Sequence, residues 1–80
     1  MSDTKNTSAQ WNYCVIDEMR YHQDVGNYRT YGLLLNEGHG SVCLQDISVQ
    51  RAFVERMAET FNRLQLAPVH LHDAVENLLP

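Results

Sequence analysis

Residues 41–64 read SVCLQDISVQRAFVERMAETFNRL, and the spacing of the apolar side chains changes partway along. Up to Ile47 they alternate, with Val42 and Leu44 on one parity and Cys43 and Ile47 on the other, the period of a strand. Beyond Ser48 the residues Val49, Phe53, Met57, Thr60, Phe61 and Leu64 recur three and four apart, with Ala52 beside them. That is the apolar stripe of an amphipathic helix. Ser48 is the expected N-cap and Ile47 a staple residue, although Arg51 stands where a capping box needs Glu or Gln. A strand that runs straight into a helix sets the class as α+β, and the flanking segments must supply the rest of the sheet.

Working upstream, YRTYGLLLN (28–36) places Tyr31, Leu33 and Leu35 on one face and Tyr28, Thr30 and Leu34 on the other. Gly32 has no side chain to pack there, so it marks a bulge or a close approach, with a ring of Trp11 or Tyr13 expected across it. WNYCVIDEMRY (11–21) is rich in aromatic and branched residues and reads as a further strand. HQDVGN (22–27) and EGHGS (37–41) carry turn residues. Three runs joined by short turns make an antiparallel meander the economical topology.

Downstream, Gln65 to Ala67 breaks the helix and Pro68 opens another, where its missing N–H has no helical partner to lose. Leu71, Ala74, Val75 and Leu78 form its apolar stripe. So short a helix is marginal alone and must pack on the rest of the fold. The expected architecture is α+β, a three-stranded antiparallel meander packed against a C-terminal αα-hairpin in the order β-β-β-α-α. Residues 1–10 are polar and aperiodic and read as a disordered N-terminus, leaving 11–80 as a single small domain.

A chain of 80 residues buries only about 60–65% of the surface its unfolded form exposes, which leaves little room for an enclosed substrate cavity. Ten acidic against six basic residues give a net charge of −4, with a single lysine, Lys5. That excludes the basic footprint through which nucleic-acid binders neutralise phosphates. No apolar run reaches the roughly 18 residues of a membrane span, and the start has neither the apolar stretch nor the cleavage pattern of a secretion signal. The expected location is cytoplasmic, with Cys14 and Cys43 reduced and buried as small hydrophobes.

His70, His72, Asp73 and Glu76 crowd one short segment. His72 and Glu76 are four apart on one side, while His70, Asp73 and Asn77 share another. A zinc site needs three or four converging ligands, and HEXXH is absent, so no metal and no cofactor is expected. Cys43 lies inside a strand with no basic cluster to activate it, and GHG around His39 lacks the lysine and helix of a phosphate loop. No catalytic residue is assigned. The surplus is aromatic: Trp11, Tyr13, Tyr21, Tyr28 and Tyr31 fall in the first two strands, more than one covered sheet face can bury. Aromatics left on a sheet are frequent anchors of protein contacts. Leu78 and Leu79 at the end add a second apolar candidate.

Tyr31-Gly32, Asp46-Ile47-Ser48, Asn62 and the run Pro68-Val69-His70-Leu71 with Asp73, Val75, Glu76 and Leu78 together resemble a family of small uncharacterised bacterial proteins of Firmicutes. That family has a tyrosine-glycine strand, an aspartate-isoleucine-serine lead into a helix, an asparagine near the helix end and a closing proline-x-histidine-leucine helix. The resemblance spans residues 28–79. The chain departs from it at Phe61, where a cysteine is usual, and at Asn77, where the end is usually more acidic. It implies no activity and no catalytic residue, but it marks His70, Asp73 and Glu76 as a recurring surface feature.

The leading expectation is a small non-catalytic intracellular module that binds another protein and self-associates as a homodimer, through Trp11, Tyr13, Tyr28, Tyr31, His70, Asp73 and Leu79. The alternative is an acidic inhibitor of a nucleic-acid-processing enzyme, of the kind phages use against host defence, which a contiguous patch of Asp17, Glu18, Asp24 and Glu37 would favour and scattered acids would count against. A metal-binding or thiol enzyme ranks below both.

Overall fold

The computed structural model describes residues 11–36 and 40–79. The expected N-terminal disorder at 1–10 and the centre of the 37–41 turn lie outside the described residues. Strands β1 (Tyr13–His22), β2 (Gly26–Asn36) and β3 (Ser41–Ser48) are followed by helix α1 (Arg51–Leu64), a 3₁₀ turn (Pro68–His70) and helix α2 (Leu71–Leu78). The sheet is antiparallel in the order β1-β2-β3, with β2 in the middle. The order β-β-β-α-α agrees with the sequence reading.

β1 and β2 pair without interruption from Tyr13 opposite Leu35 to His22 opposite Gly26. Gly26, at φ +79, supplies the left-handed residue that closes the turn, and Val25 N–H donates to the His22 carbonyl at 3.1 Å. β3 pairs with β2 regularly from Asn36 opposite Ser41 to Leu33 opposite Leu44, then slips before Tyr31 meets Ser48. Asp46 takes a left-handed φ of 55 in this bulge. The bulge brings β3 against Gly32 so closely that a Cβ there would run into the Leu44 carbonyl. The glycine thus marks a close approach, but main chain rather than an aromatic ring covers it.

Tyr13, Leu33 and Leu35 point from the sheet toward Val54, Met57, Ala58 and Phe61 of α1 and Leu71 and Val75 of α2, and together they form the core. Tyr13 meets Phe61 edge to face, with ring centroids 5.8 Å apart. The helix stripe departs from the expected one within the helix, where Val54 and Ala58 are buried and Ala52 is exposed, and at both ends. Ser48 Oγ accepts from Gln50 N–H at 3.0 Å in a local turn, and α1 begins at Arg51 with Gln50 as N-cap and no side-chain cap. Val49 therefore precedes the helix and is exposed, as is Leu64. Among the described residues the i,i+4 ion pair on this helix is Arg51–Glu55, at 3.0 Å.

Gln65 ends α1 in the left-handed region at φ 53, its N–H bonded to the Asn62 carbonyl and the following Leu66 N–H to that of Phe61. This is a Schellman closure on a residue other than glycine. Its return is a latch. The Asn62 amide accepts from Tyr13 N–H at 2.6 Å and donates to Tyr13 C=O at 2.9 Å, and the Gln65 amide does the same for Trp11 at 3.0 and 2.9 Å. Two side-chain amides thus hold the start of β1 as a neighbouring strand would.

Candidate functional site

The helices cover only part of this sheet. A helix of fourteen residues is about 21 Å long, whereas the ten residues of β1 run to about 33 Å. The half of the β1–β2 hairpin beyond the latch therefore projects as an arm. On the face that carries the helices nearer its base, Met19 is 56% and Tyr21 71% exposed, and Val25 at the tip and Val49 beside it are exposed as well. His22, Val25, Tyr28 and Val49 line a shallow, largely apolar cleft of about 450 Å³ at the tip.

The charges on the arm are paired within it or with β3 beside it. Arg29 Nη1 lies 2.6 Å from Asp17 on the helix side. On the opposite face Arg20 Nε lies 3.1 Å from Glu18 and 4.0 Å from Asp46, and its Nη2 reaches the Gln45 amide oxygen at 3.4 Å. The hydrogen bond to Glu18 holds the Arg20 guanidinium above even its usual high pKa. Buried Thr30 joins this group, donating to Asp46 at 2.7 Å and lying 3.1 Å from the Ser48 carbonyl. The patch that would favour an acidic inhibitor is not assembled among the described residues: Asp17 and Glu18 face opposite ways, each is bridged to arginine, and Asp24 sits in the turn 4.0 Å from His22. Glu37 lies outside the described residues.

The expected contact residues fall into four groups. Tyr13 is not a surface residue: it is 2% exposed, and its hydroxyl donates to the Leu66 carbonyl at 2.7 Å, because the end of α1 closes over it. Trp11 and Tyr31 are half-buried against the core. Tyr28 belongs to the arm cleft. His70, Asp73 and Leu79 lie on or beside α2 and are exposed. Met19, Val25 and Val49 were not among the expected contacts, and Tyr21 counted only among the surplus aromatics; Tyr21 shares the parity of buried Tyr13, and only the reach of the helices separates the two.

On α2 the predicted pair forms, with His72 Nε2 3.6 Å from Glu76. Ligand atoms of His72, Asp73 and Glu76 lie within 4.8 Å of one another, all exposed. His72 and Glu76 also line a groove of about 180 Å³ between α2 and the β3 bulge, with Asp46, Ile47 and Leu79. All three candidate ligands stand on adjacent turns of one helix, and none is buried or aimed inward at a fourth, so the cluster reads as a solvated helix face. Cys14 and Cys43 are exposed rather than buried. They flank Leu34 on opposite neighbouring strands, about 10 Å apart by strand spacing, which is beyond disulfide reach.

Several of the motif residues have structural tasks. Gly32 admits the β3 bulge, Asp46 anchors it to Thr30, Ser48 holds the turn into α1, Asn62 latches β1, and Leu71 and Val75 fill the core. Among the described residues no helix is long and apolar enough to cross a membrane. No curated protein and no solved structure matches the chain. A family model described as a family of unknown function, DUF6514, matches residues 1–80.

Proposed function

The chain belongs to this family of unknown function, DUF6514, which brings no activity with it, and we propose from its surface that it is a small non-catalytic module that binds another protein and itself through the β1–β2 arm. The observation that carries this reading is the exposure of Met19, Tyr21 and Val25 on a regularly paired hairpin, with exposed Val49, from the link between β3 and α1, beside its tip. Nothing in the core requires these side chains, and large apolar residues gathered on one projecting element are typical of contact surfaces. In this reading the protein works inside the cell, and its acidity serves solubility rather than mimicry of a nucleic acid.

The test compares capture of binding partners by the immobilised native chain and by a Met19→Ser, Tyr21→Ser variant of unchanged circular dichroism. A partner held by the native chain and lost at least tenfold by the variant supports the arm as the contact surface. Equal retention by that variant, with loss on His70→Ala, Asp73→Ala, moves the contact to α2 and overturns the assignment to the arm.

A further inference from the structure

Among the described residues β1 is an edge strand, and its main chain shows which groups face outward. Tyr13 and Trp11 turn both N–H and C=O toward the Asn62 and Gln65 amides rather than toward β2. Along an antiparallel strand the two groups of one residue point to the same side, and that side alternates from residue to residue. Since the β1–β2 register has no slip, Val15, Asp17, Met19 and Tyr21 must likewise turn their N–H and C=O away from β2. No such latch covers them: among the described residues no hydrogen bond reaches this edge between Val15 and Tyr21 from outside the hairpin. A row of outward donors and acceptors of this kind is a template for another strand.

From this edge we infer that the arm's partner is a second copy of the chain, joined antiparallel along β1 with Met19 facing Met19 across a two-fold axis, so that two three-stranded sheets become one of six strands. The inference rests on the reading of the arm as a contact surface and names its occupant.

Charge selects the register. With Met19 on the axis, Asp17 stands opposite Tyr21 of the second copy, and Glu18 stands opposite Arg20 on the face away from the helices, twice over by symmetry. Shifting one way to the next register that keeps outward groups opposed places Glu18 against Glu18, and a further shift places Asp17 against Asp17. Shifting the other way places Arg20 against Arg20. Only the Met19-centred register is free of like charges at the axis and pairs both charges of this face. The axis runs perpendicular to the sheet, so both pairs of helices lie on one side, at opposite ends. The three facing pairs Asp17–Tyr21, Met19–Met19 and Tyr21–Asp17 supply about six main-chain hydrogen bonds, and the exposed Met19 and Tyr21 of both copies become mutual neighbours.

Sedimentation equilibrium on the full chain tests this, with Glu18→Arg and Arg20→Glu variants prepared separately and their folding followed by circular dichroism. The native chain is expected to dimerise. Each single variant places like charges opposite one another at both sites and is expected to weaken the dimer about tenfold or more. An equimolar mixture of the two variants restores opposite charges at both sites and is expected to recover the dimer as a heterodimer, which no folding defect of either chain can imitate. A native chain that stays monomeric up to about 1 mM overturns the inference, and so does a dimer that the variants and their mixture leave unchanged. If partner capture still requires Met19 and Tyr21 in either case, the arm remains a contact surface for a different protein, so the two failures are told apart.

Discussion

The two halves of one hairpin have similar secondary structure and opposite surroundings. At its base Tyr13, Leu33 and Leu35 are almost wholly buried under α1 and α2, while on the same face a few residues along β1 Met19 and Tyr21 are more than half exposed. Strand propensity is satisfied in both, so hydrogen bonding between β1 and β2 does not distinguish them. What differs is whether a helix lies above, and stability should follow that boundary.

The sharpest break of the comparison is at the base. Phe61→Ala removes the ring that packs on Tyr13 and should cost about 3–5 kcal/mol, read as a lower urea midpoint and, in a domain this small, as loss of most of the folded population. Gly32→Ala forces a Cβ toward the Leu44 carbonyl, where main chain and not a flexible side chain must move. Its cost is expected at about 3 kcal/mol, with the β3 amides losing hydrogen-exchange protection first. Asn62→Ala strips Tyr13 of both amide bonds and should cost about 1–3 kcal/mol. Its mark is faster exchange at the start of β1 while the β2–β3 amides stay protected. At the other extreme Tyr21→Ser, far out on the arm, should change stability by less than about 0.5 kcal/mol while weakening binding. A large loss of stability there would show that the arm is part of the folding unit and not a projection from it.

The architecture was legible because Val42, Leu44 and the residues of α1 change period within one continuous segment. The edges of the pattern were not. Val49 and Leu64 fit a helical spacing but lie outside the covered stripe, since the Ser48 hydroxyl ties down a turn before the helix begins and the chain reverses direction at Gln65. Both are tertiary outcomes of where a local turn closes. Tyr13 and Tyr21 carry the same ring on the same parity, and their separation into core and surface depends on the difference between helix and strand rise per residue, which no single position encodes. Asn62 stands out in the sequence as a motif residue, but its task needs Tyr13, far away in the chain, to be brought alongside.

The bulge at Asp46 bears on assembly from the far side of the sheet. A six-stranded sheet formed through β1 would still expose two β3 edges, and regular edges there would allow copy after copy to add, giving an open fibre instead of a finite particle. The slip between Tyr31 and Leu33 and the left-handed Asp46 break the straight ladder that such growth requires. In such an assembly the same irregularity that holds Thr30 inside the fold would act as a stop, limiting the proposed association through β1 to two chains.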